Sequence, residues 1–512
     1  MPNFTGPSAS PGAARPRAAA WFAHVVLLAA PWAVNAQVPA APVEGLRDAS
    51  PRVHALTGAR IVTAPGAVIE RGTVVLRDGL IAAVGPDADV NVPADARVWP
   101  AEGKTIYAGL VEPLAEVHLP AALKAPAPAT PGEGGRGGRG GRGAAPTTPT
   151  ETIAPATAAR SWNARVTPER DVANVLVADD RGATALRELG FASAVVTPGR
   201  GIFRGESALV SLSGRAPNAT LVRARVAQHV AFEVGGFRDG GYPGSLMGCI
   251  ALVRQTMLDA QWLRAAVDAY RKNPAIERPE ENASLHALFD YVTAAKPVVM
   301  DALDELDLVR AQKIAGEFKL NLVLHGRGTE YRMAAALAAK KTPVIVPLNF
   351  PAVPEVETPE KAGDVSLATL QHWELAPANA GRLAAQGVAV AFTTAGLRTP
   401  DSRFWPAVRL AIKRGLAPEA ALAAVTTAPA QMLGVADLVG TLAPGRLGHL
   451  IVATGDLFAA DSTAEITDVW VDGIHFETEA AQKVDARGTW TVAWRGATAP
   501  DELRIESRTG GG

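Results

Sequence analysis

Between residues 53 and 105 apolar and polar positions alternate in short runs, the pattern of strands that bury one face. Thr73–Arg77 and Leu80–Val84 flank Asp78 and Gly79, a two-residue turn that tolerates positive φ, so this stretch predicts a hairpin. A second strand-rich region holds Gly448–Ala453 and Ile466–Gly473, again with an Asp-Gly turn at Asp472 and Gly473. Between the two regions the pattern changes. Continuous apolar runs at Pro297–Asp301, Leu320–His325, Pro343–Leu348 and Val388–Thr393 alternate with stretches of helical periodicity, among them 303–317, 329–340 and 366–386. Such an order predicts a parallel sheet, either doubly wound or closed into a barrel. No strand leads into a GxGxxG loop, the usual mark of the doubly wound form. With small β segments at both ends, the pattern favours an α/β fold in which a (β/α)8 TIM-like barrel is inserted in a composite β-sandwich. The divisions expected are an N-terminal sandwich segment at 53–105, the barrel at 106–430, a C-terminal sandwich segment at 431–490 and a tail at 491–512.

Two stretches interrupt this order. Residues 124–150 are mostly Pro, Ala and Thr around a Gly-Gly-Arg repeat carrying Arg136, Arg139 and Arg142, a composition that cannot bury a core and predicts a loop on the rim of the barrel. Further on, glycines and Pro243 precede Ser245, which is placed to cap a helix with Leu246, Ile250, Val253, Met257 and Trp262 on its core face. Cys249 lies within that helix and reads as a small buried hydrophobe. His229, within Arg225–Phe232, sits where another strand could end, and the pattern gives it no role.

Composition narrows the partners. Fifty basic and 51 acidic residues in 512 leave a net charge of −1, so no global field attracts nucleic acid. A lone cysteine excludes an internal disulfide framework and a thiolate metal cluster. At the N-terminus Arg15 and Arg17 precede the apolar run Ala18–Val34, which ends in small residues at Ala36. That is the pattern of a secretory signal over residues 1–36, with export to a bacterial periplasm as the expectation. The run is too short, and too interrupted by His24 and Pro31, for a membrane span, so no membrane partner is expected once the signal is cleaved.

Gly103–His118 resembles the first barrel strand of the amidohydrolase superfamily, imidazolonepropionase-like members in particular. Ala424–Gly434 and Gly440–Val452 are similar to that superfamily's last barrel helix and its return to the sandwich. The resemblance implies hydrolysis of non-peptide carbon–nitrogen bonds through metal-activated water, with a small-molecule substrate. It also singles out positions. Where the family carries His-x-His at the end of its first strand, this sequence has Leu114 and Glu116; a further strand-end histidine is Asp301; the next is kept as His325; and the last-strand aspartate, both ligand and base, is Ala395.

A catalytic zinc needs about three protein ligands and an open position. Leu114 and Ala395 donate nothing and are expected only on the pocket rim. The ordinary metal centre is therefore expected to be missing and the catalytic residues stay unassigned, which makes a weak or inactive member, a pseudoenzyme, the leading expectation. One alternative is a displaced centre for zinc or another divalent metal, built from Glu116, His118, Asp301 and His325. Another is a protein that binds a small ligand without turnover. A homo-oligomer or pairing with a homologous amidohydrolase is the expected assembly.

Overall fold

In the computed structural model residues 52–125, 160–234, 241–397, 399–478, 488–492 and 501–505 are described. The signal read at 1–36 and nearly all of the loop at 124–150 lie outside them. The strands run, in chain order, β1 Val53–Ala64, β2 Ala67–Arg77, β3 Leu80–Pro86, β4 Arg97–Pro100, β5 Thr105–Ala108, β6 Leu110–Ala115, β7 Phe191–Val196, β8 Phe203–Glu206, β9 Ala208–Ser211, β10 Leu221–Arg223 and β11 Gln228–Ala231. They continue as β12 Pro297–Asp301, β13 Asn321–His325, β14 Val344–Pro347, β15 Val390–Thr393, β16 Leu450–Ala453, β17 Ile466–Val471 and β18 Ile474–Glu477. Among the described residues no helix is long and apolar enough to cross a membrane.

The two ends of the chain meet in one sheet. Its order is β18-β17-β16-β5-β1-β2-β3, with β4 beside β1, so segments about 350 residues apart hydrogen-bond directly through β5 and β16. The hairpin between β2 and β3 turns on Asp78 and Gly79, both at positive φ as that turn requires. Leu56, Ile61, Leu76, Ile106, Leu450 and Trp470 fill the core of this sheet. A second hairpin, Gly488–Val492 with Asp501–Ile505, crosses the boundary drawn at 490/491, so a stretch of the expected tail pairs with what precedes it.

The middle of the chain forms two further sheets, β10-β9-β7-β6 and β15-β14-β13-β12-β11-β8. Strands β11 to β15 are parallel and in sequence order, as the apolar runs predict. The expected all-parallel order fails where the chain reverses: β9 runs antiparallel to β7 and to β10, and β8 antiparallel to β11. Chain length explains it, because only residues 197–202 separate β7 from β8, and a parallel return needs a crossover of about a dozen residues. Ser207, between β8 and β9, joins the two sheets by donating its N–H to the Ala227 carbonyl and accepting from the Val226 N–H.

One apolar cluster gathers side chains from strands of both sheets: Val111, Val195, Leu209, Val299, Val323 and Ala391 are all buried in it. Helices cover the other side. The helix expected at 303–317 is Glu305–Phe318, capped by the Asp304 carboxylate. The expected 366–386 helix is broken into Leu367–Leu375, a 3-10 turn Ala376–Ala378 and Asn379–Ala385; Pro377, lacking an N–H, interrupts it. Likewise 329–340 divides into a 3-10 turn, Glu330–Met333, and a short helix, Ala334–Ala339. Ser245 caps the helix Leu246–Lys272 as anticipated, and Val253 and Met257 are buried, but Trp262 faces solvent.

Candidate functional site

In-register parallel pairing places Ala231, Asp301 and His325 side by side at the ends of β11, β12 and β13. Asp301 and His325 follow Val299 and Val323 by two residues, so they share the face that carries the inner apolar cluster. The His325 Nδ1 lies 2.8 Å from the Asp301 Oδ1. The other carboxylate oxygen, Oδ2, accepts from Arg204 Nη1 at 2.7 Å, and the Arg204 Nε donates to the Gly201 carbonyl at 3.2 Å. Both side chains of this ion pair are mostly buried, 16% exposed for Arg204 and 14% for Asp301.

Burial by itself pushes the Asp301 carboxyl up, but the Arg204 guanidinium and His325 outweigh it and hold the group well below the usual carboxylate range. A charged pair at this depth is sustained because each oxygen is occupied. Because Asp301 is ionised and can only accept, the Nδ1 of His325 carries a proton, and in the neutral ring Nε2 holds the lone pair. Among the described residues nothing bonds that Nε2.

His229, two residues before the end of β11, is buried, and its Nε2 has no partner among the described residues. Burial pushes its imidazole down to about 3, and the charges of Asp301, Arg204 and His325 reach it as well. It is a neutral ring at neutral pH.

Glu112 makes a second buried polar centre. It accepts from the Thr393 hydroxyl at 2.5 Å, the Thr394 N–H at 2.8 Å and the Leu114 N–H at 3.1 Å, so it ties β6 to the end of β15. Burial pushes its carboxyl up while these donors oppose the shift. Leu114 lies in the inner apolar cluster and Ala395 packs against it. The two positions expected to have lost metal donors thus face the same interior as Asp301 and His325.

The displaced set does not assemble. β6 ends at Ala115, so Glu116 and His118 lie beyond the strand, His118 at φ 58°. Glu116 accepts the Ala125 N–H at 2.6 Å, and His118 Nδ1 bonds the Val177 carbonyl at 2.9 Å. His118 is also buried. Among the described residues no three His, Cys, Asp or Glu side chains are placed to hold a metal ion. A divalent ion does not fit the residues present: Leu114 and Ala395 offer no donor atoms in their side chains, and a guanidinium already sits on the Asp301 carboxylate.

Arg204 carries no signal in the sequence because it lies on the antiparallel strand, whose return no periodicity announces. The neighbours of His229 are likewise set by strand order, which its local sequence does not encode.

A family model for the amidohydrolase family matches residues 376–474. Over 65 residues the chain is 42% identical to adenine deaminase 1 of a Bradyrhizobium species, which is 13% of this chain and 10% of that protein. Adenine deaminase 2 of Bradyrhizobium diazoefficiens is 41% identical over 66 residues, with the same shares. The matched stretch thus spans about a tenth of the length of these curated relatives. A solved amidohydrolase from Thermotoga maritima superposes with a TM-score of 0.61 at 20% identity, covering 83% of this chain and 99% of that one. The fold is an amidohydrolase fold. At that identity the likeness speaks for architecture alone.

Proposed function

We propose that this chain is an amidohydrolase-family protein in which two sheets close into a (β/α)8-type barrel and the ordinary metal centre has given way to an internal ion pair. The Arg204–Asp301 pair at 2.7 Å carries this reading. A fixed guanidinium supplies the positive charge that a divalent ion would bring, and it uses the carboxylate lone pairs that would bind one. Leu114 and Ala395 support the same conclusion, since apolar side chains at those positions take part in packing instead of ligation. The side chains from both sheets that meet in one interior, together with the Ser207 and Glu112 seams, support the closed barrel.

By relation to the adenine deaminases and the amidohydrolase fold, the compounds that suit such a mouth are small molecules with a carbon–nitrogen bond next to an electrophilic carbon. They would meet a polar surface of Arg204, Asp301 and His325 without a bound metal.

The test is metal analysis of the protein purified without chelator and then supplied with zinc or manganese, together with assays on adenine, N-acetyl amino acids and cyclic ureides. Metal well below one ion per chain, and no metal-dependent turnover, is the expected result. One tightly held ion per chain, lost in His325→Ala together with hydrolysis, would overturn the proposal.

A further inference from the structure

His325 is more than a remnant of a lost centre. Asp301 accepts its Nδ1 proton in a 2.8 Å hydrogen bond, which fixes the ring orientation and leaves Nε2, the lone-pair atom of the neutral ring, without a partner among the described residues. The His325 side chain is 16% exposed, so the ring is not sealed from the mouth. Arg204 holds the other oxygen of Asp301, so the carboxylate cannot rotate away from the imidazole. An imidazole oriented through Nδ1 by a buried carboxylate is an arrangement in which histidine serves as a general base, and it requires no metal.

We propose that His325 is a metal-independent general base that activates water against small amides, esters or amidines, with Asp301 and Arg204 as positioning residues. This rests on the metal-free reading of the mouth. In the step, the water oxygen bonds to the electrophilic carbon while its proton passes to His325 Nε2. When the bond from carbon to the leaving nitrogen or oxygen breaks, the same proton passes to the departing atom. Imidazole returns to its neutral form, and the net change is the addition of one water across the bond. His229 adds no charge to the site, because its buried ring stays neutral. Its Nε2 is buried from solvent and has no partner among the described residues.

The experiment uses the full chain dialysed against a chelator, with 4-nitrophenyl acetate and 4-nitroacetanilide as probes. Hydrolysis above buffer that chelator does not remove is expected for at least the ester, with a solvent deuterium isotope effect and a fall of about 100-fold in His325→Gln. Asp301→Asn should lower the rate constant while leaving probe binding in place. Arg204→Lys, which keeps the charge but not the planar fork, should rescue part of the loss seen in Arg204→Met. Diethyl pyrocarbonate mapped by peptide mass should modify His325 in the folded protein and modify it more slowly in Asp301→Asn. Equal rates for the wild type and a folded His325→Gln, no isotope effect, or no hydrolysis of either probe would overturn the general base and leave the metal-free reading standing. A stoichiometric ion bound through His325 would overturn both.

Discussion

Arg204→Met is the sharpest perturbation of the mouth, because methionine fills much of the same volume and removes only the charge and the hydrogen bonds. The Asp301 carboxylate would then be buried with one oxygen unanswered. Removing one partner of a buried ion pair costs about 3–5 kcal/mol. The partners are 14–16% exposed, so water can reach them in part, and about 3 kcal/mol is expected. The sign of the pH dependence follows from Asp301. Its folded pKa lies below the ordinary value of 3.8, so the pair stabilises the wild type above that pH and the contribution is lost as pH falls through the folded value. In Arg204→Met burial acts with one opponent fewer, Asp301 takes up a proton at higher pH, and the deficit shrinks on mild acidification. Urea unfolding at pH 7 and pH 5 measures both effects. The double variant Arg204→Met/Asp301→Asn has no orphaned charge and should recover most of the lost stability, a coupling of about 2 kcal/mol. A single variant within about 1 kcal/mol of wild type at pH 7, or a double variant less stable than the single, would refute the reasoning.

Glu112→Ala strips three donors of their acceptor at the seam between β6 and β15; a loss of about 3 kcal/mol is expected in the same unfolding assay. At Asp468, burial acts upward but His475, Thr467 and Lys104 hold the carboxyl down to about 2. Asp468→Asn should therefore cost about 2 kcal/mol at pH 7, and its difference from wild type should close between pH 4 and pH 2, read from denaturation midpoints across that range. Burial pushes the Cys249 thiol up to about 12, so a disulfide reagent should leave it untouched in the native protein and label it fully in urea.

The local pattern carried most of the scaffold. Asp78-Gly79 announced its hairpin because only a short list of residues accepts positive φ, and β12, β13, β14 and β15 stood out because strands buried on both faces are continuously apolar. Asp301 and His325 were legible as strand-end positions, since strand register fixes which residues sit at an edge. The resemblance expects Leu114 and Ala395 on the pocket rim, and the structure packs Leu114 into the inner apolar cluster and Ala395 against it. What the sequence could not decide is who meets whom. Glu116 and His118 belong to the displaced metal set that the sequence offers, yet the strand stops at Ala115 and loops at Ala125 and Val177 claim both side chains. Arg204 reaches Asp301 across 97 positions because one short connection reverses a strand, and His229 lies beside them only through that same strand order. Period and turn chemistry are local properties, read within a few residues. A buried charge is satisfied by whichever group the folded chain delivers to it, and only the tertiary structure brings a guanidinium to that carboxylate.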